Sequence, residues 1–170
     1  MSDAQAQSVT DAEQITALKA LAEGRLSEWR GLLPGCGRPH VETAFGPSEP
    51  GPDGSGRLGP TPTAFRRYPP TSIGPYGLVV WLVGDQVELI EINTPSLAEA
   101  PEAQLGPPEA EAPSRLDAMH IQLIYASRGL TIHLHRFTRQ LKRIYAYPAT
   151  THEAFLASWL SKVAITRAPR

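Results

Sequence analysis

The chain has 170 residues, of which 41% are apolar, so it is long enough to bury a hydrophobic core and too short for a multidomain enzyme. Its 16 basic and 17 acidic residues leave a formal charge of -1, which gives the chain as a whole no attraction for polyanions and disfavours nucleic-acid binding. The longest apolar run, Leu78 to Val83, is too short to cross a membrane as a helix.

The cysteine content and the first residues both favour a reducing compartment. Cys36 is the only cysteine, so no intrachain disulfide can form. Residues 1–7 contain neither the basic nor the apolar segment of a signal peptide. We therefore expect a cytoplasmic protein with no membrane insertion.

The N-terminal part of the chain predicts a disordered segment and then a helix. Residues 1–9 are expected to be disordered, and residues 10–33 to be helical up to Pro34-Gly35. Gly24 leaves open a bend or two shorter helices. The buried face would consist of apolar residues three and four positions apart, namely Ile15, Leu18, Ala22, Leu26, Trp29 and Leu33.

A region rich in proline and glycine follows. Arg38 to Phe45 predicts a further short helix, and residues 46–75 predict a loop whose mobile part is 46–62. Within this region, Thr63 to Tyr68 has the composition of a short strand. Such a loop is either a tolerated insertion or a binding loop.

Two apolar segments then predict a buried hairpin. Residues 76–83 are apolar at both even and odd positions, which is typical of a strand covered on both faces. Gly84-Asp85 is a suitable two-residue turn into a second strand over residues 86–92.

The C-terminal half predicts a short helix, three strands and a final helix. The short helix is expected over Pro95 to Leu105, followed by a polar linker over residues 109–117. The final helix begins at Thr150, with Glu153 at capping-box spacing. The strands are expected over 119–126, 130–136 and 141–147, and the buried stripe of the last helix over Phe155, Leu156, Trp159, Leu160 and Val163.

Similar order in the two halves indicates an internal repeat. A helix ending at Gly-Pro and a strand opening at Gly-Leu occur in both halves, which we place at about 38–94 and 95–163. The prediction is a single α+β domain over residues 10–165. Its antiparallel sheet or sheets come from two similar halves of one helix and three strands each, with N- and C-terminal amphipathic helices packed on the sheet.

The segments 40–47 and 77–87, with an aromatic strand between them, are similar to one unit of the β-lactamase-inhibitor-like and small outer-membrane-lipoprotein-like repeats. Residues 105–147 follow the same order. The resemblance implies helix-plus-meander architecture and a protein-binding role. Because the chain lacks the signal peptide, anchor cysteine and paired cysteines of that group, the resemblance implies neither a location nor a partner.

Three histidines form a candidate metal site. His133 and His135 lie two apart on a predicted strand, so their side chains share a face. His120 would join them if Ser127-Arg128 is a plain turn, whereas a bulge at Gly129 would move it to the other face. The competing interpretation is a solvated polar sheet face.

A basic cluster near two tyrosines is a second candidate site. Positive charge beside aromatic rings can bind phosphates and bases, or an acidic protein surface. Alternatively, the arginines protect a sheet edge while Tyr145 and Tyr147 fill the core. The cluster consists of Arg128, Arg136, Arg139, Lys142 and Arg143.

Because no recognised catalytic motif occurs, the leading hypothesis is a non-enzymatic module that binds another protein and requires no cofactor. Inhibitor, immunity, chaperone and assembly-subunit roles all fit, and self-association stays open. The expected contacts are Phe65, Arg66, Arg67, Tyr68 and Trp81, since tryptophan, tyrosine and arginine are enriched at binding hot spots. For the three aromatic residues, a position in the core is an equal alternative. The alternative is a small-ligand or metal-binding protein, with catalysis left open, that uses His120, His133 and His135.

Overall fold

The computed structural model describes residues 2–33, 35–46, 54–68, 77–93, 95, 97, 99–161 and 166–167. Helices occupy Ser2–Ala22 (α1), Arg38–Phe45 (α2), Pro101–Leu105 (α3) and His152–Ala157 (α4), with short 3-10 turns at Leu26–Glu28, Ala126–Arg128 and Trp159–Ser161. Strands occupy Gly54–Leu58 (β1), Thr61–Tyr68 (β2), Leu78–Val83 (β3), Gln86–Asn93 (β4), Ala110–Pro113 (β5), His120–Tyr125 (β6), Leu130–His135 (β7), Leu141–Ala146 (β8) and Thr166–Arg167 (β9).

The nine strands of the described residues form a single sheet in the order β5-β6-β7-β8-β4-β3-β2-β1-β9. Strands β1 to β4 form one antiparallel meander, and strands β5 to β8 form another. The two meanders join where β4 pairs with β8, from Ile90↔Ala146 to Asn93↔Arg143. The predicted α+β class with an antiparallel sheet is therefore confirmed.

Each meander has four strands, where the sequence predicted three. The additional strands are β1, in the segment predicted as a mobile loop, and β5, in the segment predicted as a linker. Glycine, proline and alternating glutamate give these segments little intrinsic strand preference. Both form because a neighbouring strand supplies backbone partners, as in Gly54↔Phe65 and Ala110↔Ile124. The rest of the predicted mobile segment, 47–53, lies outside the described residues.

Helices cover both faces of the sheet. Leu78, Val80 and Leu82 belong to a core shared with α1 and α2, while Val79 and Trp81 belong to a second core under α4. This alternation shows that β3 is buried on both faces, as its continuous apolar run predicted. The two terminal helices therefore pack on opposite sides of the sheet.

Helix α1 begins and ends earlier than the sequence predicted. Residues 2–9, expected to be disordered, have helical backbone, in keeping with the helix preference of their alanines and glutamines. The helix ends at Ala22 because Gly24 takes a left-handed φ of 72°. Leu26 and Trp29 are still buried, but a 3-10 turn places them in the core rather than the same helix.

Helix α4 is shorter than expected. Its N-cap is Thr151, whose hydroxyl accepts from the Ala154 amide at 3.1 Å, and it ends where Ser158 becomes extended. Phe155 is buried, whereas Leu156 is 48% exposed, so the prediction of one continuous apolar stripe was wrong at Leu156. Because the helix stops after six residues, Trp159 and Leu160 reach the core from the following 3-10 turn.

Candidate functional site

The aromatic residues predicted as binding contacts lie in one of the two cores, either the one shared with α1 and α2 or the second core under α4. Phe65 on β2 packs against Trp81 on β3, with ring centroids 5.0 Å apart, and Tyr68 is buried against α1 and α2. Arg66 pairs with Glu42 at 3.5 Å, and the Arg67 guanidinium lies 6.0 Å from the Phe65 ring centre. Both arginines therefore make contacts within the protein that contribute to the stability of the fold. The core alternative that the sequence left open is therefore correct for Phe65, Tyr68 and Trp81, which replaces their assignment as exposed contacts.

The predicted basic cluster is divided by the fold. Arg128 and Arg136 lie beyond opposite ends of β7, and the Arg128 guanidinium donates to the Ser27 carbonyl at 3.4 Å. Arg139 pairs with Glu102 and with Glu111. Arg143 lies 3.4 Å from the buried carboxylate of Glu91. Within the described ranges, Arg128, Arg136 and Lys142 have no carboxylate within 4.0 Å, so these three members keep charge that no ion pair compensates.

The histidines lie on one face of β6 and β7 but in different environments. His120 is directly opposite His135, with ring centroids 5.5 Å apart and the rings edge-to-face. His133 is opposite Gln122, one same-face position further into the sheet, and is 2% exposed. The register thus agrees with the alternative that placed His120 opposite His135, although the connection is a 3-10 turn closed by Gly129.

Each imidazole already has a hydrogen-bond partner. The Nδ1 of His120 lies 2.6 Å from an oxygen of Asp117, and this hydrogen bond is the main cause of the lowered pKa of Asp117. The Nδ1 of His135 accepts from the Thr138 amide at 3.2 Å, so a neutral ring carries its proton on Nε2. No group of three or more histidine, cysteine or acidic side chains in the described residues is arranged to hold a metal ion.

His133 is held neutral by its surroundings. Burial, followed by the charges of Arg143 and His120, lowers its pKa to about 3. Its Nδ1 lies 2.8 Å from the Ser114 hydroxyl oxygen, which also accepts from the Leu116 amide at 3.1 Å. Since that amide donates to the hydroxyl oxygen, the hydroxyl is free to donate to Nδ1, and the pair anchors the chain after β5 over the sheet.

The end of the second meander carries exposed apolar side chains that sequence reasoning missed. Phe137 is 74% exposed in the β7–β8 turn, and Met119 is 46% exposed just before β6. Their two segments are joined because the Arg136 amide donates to the Met119 carbonyl at 2.8 Å. We call this surface the meander tip and define it as Met119, His120, His135, Arg136 and Phe137.

Ring contacts hold the meander tip together. The Phe137 ring centre is 6.0 Å from that of His135 and 5.9 Å from the Arg136 guanidinium. Lys142 is near enough for its charge to contribute to the lowered pKa of Asp117. The surface thus combines an exposed aromatic ring with positive charge. The sequence clue was Phe137 itself, an aromatic residue among polar ones in a predicted turn.

Cys36 is an unreactive cysteine. Its side chain is buried between α1 and the segment before α2, and burial raises the pKa of its thiol to about 11, with Asp11 adding to the effect. The thiol is therefore protonated at neutral pH and is a poor nucleophile.

No protein-family model matches the chain, and no curated protein matches it. Among solved structures, the chain is similar to the crystal structure of YjgB, a DUF4309 family protein from Bacillus subtilis, with 14% identity and a TM-score of 0.37 over 82% of this chain and 98% of that chain. In the described residues, no helix combines the length and hydrophobicity needed to cross a membrane.

Proposed function

We propose that the protein is a non-enzymatic module that binds another protein through the meander tip. The observation that carries this proposal is the 74% exposure of Phe137 at the end of a rigid sheet. An aromatic ring exposed to water lacks the stabilisation that burial would bring. A partner that covers the ring would supply this stabilisation and is the simplest explanation for its exposure.

The neighbours of Phe137 fit such a contact. Phenylalanine, methionine and arginine are enriched in the cores of protein interfaces, and all three occur together here in Phe137, Met119 and Arg136. Strands β6 and β7 hold the tip through their ladder, so little ordering entropy is lost when a partner docks.

The positive charge of the tip region indicates the chemistry of the partner. The chain has a formal charge of -1, yet Arg136 and Lys142 bring positive charge to the tip region, where no carboxylate of the described residues lies within 4.0 Å of either and Asp117 offsets only part of the charge. An acidic protein surface with a recess for one aromatic ring matches this combination. Binding should therefore weaken as the salt concentration rises.

Affinity capture with matched variants tests the proposal. Phe137→Ser and Arg136→Glu remove the ring and reverse the charge, while Val83→Ser changes a 39% exposed apolar residue at the β3–β4 turn, at the far end of the sheet. We expect one acidic protein to be retained by the wild type and by Val83→Ser and lost from both tip variants. Equal capture by all four proteins would refute the proposal, and a dimer dissociated by the tip variants in gel filtration would identify a second copy as the partner.

Two further parts of the proposal concern location and origin. A cytoplasmic location is supported by the single, buried cysteine, Cys36.

Duplication of one helix-plus-meander unit is supported by the ends of α2 and α3. There the backbone amides of Gly46 and Gly106, whose φ values are 88° and 78°, donate to carbonyls four residues earlier.

A further inference from the structure

A cavity of about 470 Å³ lies between α4 and the β5–β6 edge of the sheet. We propose that it binds a small amphipathic carboxylate, with the aliphatic chain between the sheet and α4 and the carboxylate at Arg115. The inference does not depend on the meander tip. The residues that carry it are Ser114, Arg115, Gln122, Ile124, Phe155 and Leu156.

One end of the cavity is apolar. Ile124 on β6 and Phe155 on α4 belong to the second core, and Leu156 adds an aliphatic wall that is 48% exposed. An aliphatic chain in the cavity would cover part of this exposed side chain. Each methylene group so buried contributes favourably through the hydrophobic effect.

The other end is polar. The Gln122 amide donates to the Pro113 carbonyl at 3.2 Å, which fixes its orientation beside the loop that follows β5. The Ser114 hydroxyl is fixed by His133 and the Leu116 amide. Because Gln122 and Ile124 are two residues apart on one strand face, the polar and apolar ends are separated by about 7 Å.

Arg115 supplies the charge that selects an anion. It is exposed at the rim of the cavity, and in the described part of the chain no carboxylate lies within 4.0 Å of it. A guanidinium prefers a carboxylate because it can donate two parallel hydrogen bonds. An apolar chamber with one arginine at its rim therefore fits an aliphatic carboxylate better than an amine or a neutral lipid.

The size of the cavity is suitable for such a ligand. Pockets that bind small molecules generally have volumes of about 300–1,000 Å³, and this one measures about 470 Å³. At roughly 30 Å³ per water molecule, that space corresponds to about 15 waters, so a ligand would displace many waters from an apolar wall.

Calorimetric titration of the full-length protein with octanoate tests the inference. We expect saturable binding of one octanoate per chain. Hexanoate has two methylenes fewer and should bind about fifteenfold more weakly, since each buried methylene is worth about a fourfold change in Kd. Octylammonium, which has the same chain and the opposite charge, should not bind. Absence of saturable binding at about 10 mM octanoate, or equal affinity for both chain lengths, would overturn the proposal.

Two variants locate the site. Arg115→Gln should weaken octanoate binding about tenfold or more, because the lost hydrogen bonds involve charged groups, whereas Arg136→Gln at the meander tip is the matched control and should leave it unchanged. Leu156→Ser should also weaken binding, and circular dichroism should show that it is folded, since the side chain is on the surface. Equal loss in Arg115→Gln and Arg136→Gln would indicate non-specific charge attraction and refute the site. Failure here leaves the tip proposal standing, because the capture experiment measures retention of a protein and not binding of octanoate.

Discussion

Trp81 and Glu91 meet inside the second core, where the indole Nε1–H donates to the Glu91 carboxylate at 3.2 Å. Both side chains are almost completely buried, with exposures of 0% and 1%. Arg143 approaches the same carboxylate to 3.4 Å from β8. One buried charge therefore links β3, β4 and β8, and the hydrogen bonds and the ion pair offset the cost of removing it from water.

Removing this carboxylate should strongly destabilise the fold. Glu91→Ala leaves the Arg143 charge without its partner at 3.4 Å, and we expect the free energy of unfolding to fall by about 3–5 kcal/mol. Urea unfolding followed by tryptophan fluorescence measures this loss. The control is Glu88→Ala on the same strand, where the half-buried side chain should cost less than about 1 kcal/mol. Similar losses in both variants would contradict the role assigned to Glu91.

Two glycines with nearly the same backbone conformation should respond very differently to alanine. Gly129 and Gly84 have φ values of 65° and 62°, but a Cβ at Gly129 would lie 2.0 Å from the Tyr147 carbonyl oxygen, while one at Gly84 meets nothing within 4 Å. Gly84→Ala should cost about 1–2 kcal/mol from backbone strain alone. Gly129→Ala should cost about 2–5 kcal/mol, because the neighbouring chain must also move. Comparison of the two urea midpoints checks this, and equal midpoints would rule out the close approach.

Adjacent residues on α4 provide a test of how that helix faces the sheet. Phe155 is 1% exposed and stacks on Tyr147 with ring centroids 5.7 Å apart, whereas Leu156 is 48% exposed. Phe155→Ala should reduce the free energy of unfolding by about 3–5 kcal/mol, and Leu156→Ala by less than about 1 kcal/mol. Thermal unfolding of the two variants should place the wild type and Leu156→Ala together. A loss of stability for Leu156→Ala as large as that for Phe155→Ala would show that both side chains are buried, as the apolar stripe predicted from the sequence requires.

His133 should make the fold sensitive to mild acid. Its pKa is lowered from 6.5 to about 3 in the folded protein, so below pH 6.5 the unfolded chain binds a proton that the folded chain does not. The free energy of unfolding is therefore unaffected by His133 above pH 6.5. It declines as the pH falls from 6.5 towards 3, by at most about 1.4 kcal/mol per pH unit. Urea unfolding at pH 5 to 8 measures the slope.

His133→Gln is the variant that isolates this effect. It should unfold with a shallower pH dependence than the wild type between pH 5 and 6.5, while the two slopes agree above pH 7, where both states of the wild type are neutral at this position. Groups that face His133 are Ser114, Tyr145, Arg143 and His120, and the variant leaves all of them in place. Parallel curves over the whole range would show that His133 is not the titrating group.

The hairpin of β3 and β4 shows what sequence could predict. Apolar residues at every position of Leu78–Val83 indicated a strand covered on both faces, and Gly84-Asp85 indicated the turn. These are local signals, because a two-residue turn and an uninterrupted apolar run need no distant partner to be recognised. The same reasoning located β6, β7 and β8 to within about two residues.

Strand β1 and the meander tip show where local reasoning fails. Gly54–Leu58 has no apolar alternation, and it forms a strand because β2 and β9 lie beside it. Phe137 and Met119 are 18 residues apart in sequence, and their segments are joined by one backbone hydrogen bond between Arg136 and Met119. Neither relationship is encoded within a short window, since both depend on which strands become neighbours.

The joining of the meanders at β4 and β8 has a consequence for how the chain folds. Every other pairing among β1 to β8 links strands that follow one another in sequence, so each meander can nucleate and zip up from its own turns. The β4–β8 contact brings together segments about fifty residues apart, from Ile90↔Ala146 to Asn93↔Arg143, and we expect its entropic cost to make it a late step. Assembly of this protein would then resemble the docking of two meanders, with the buried carboxylate of Glu91 enclosed only when they meet.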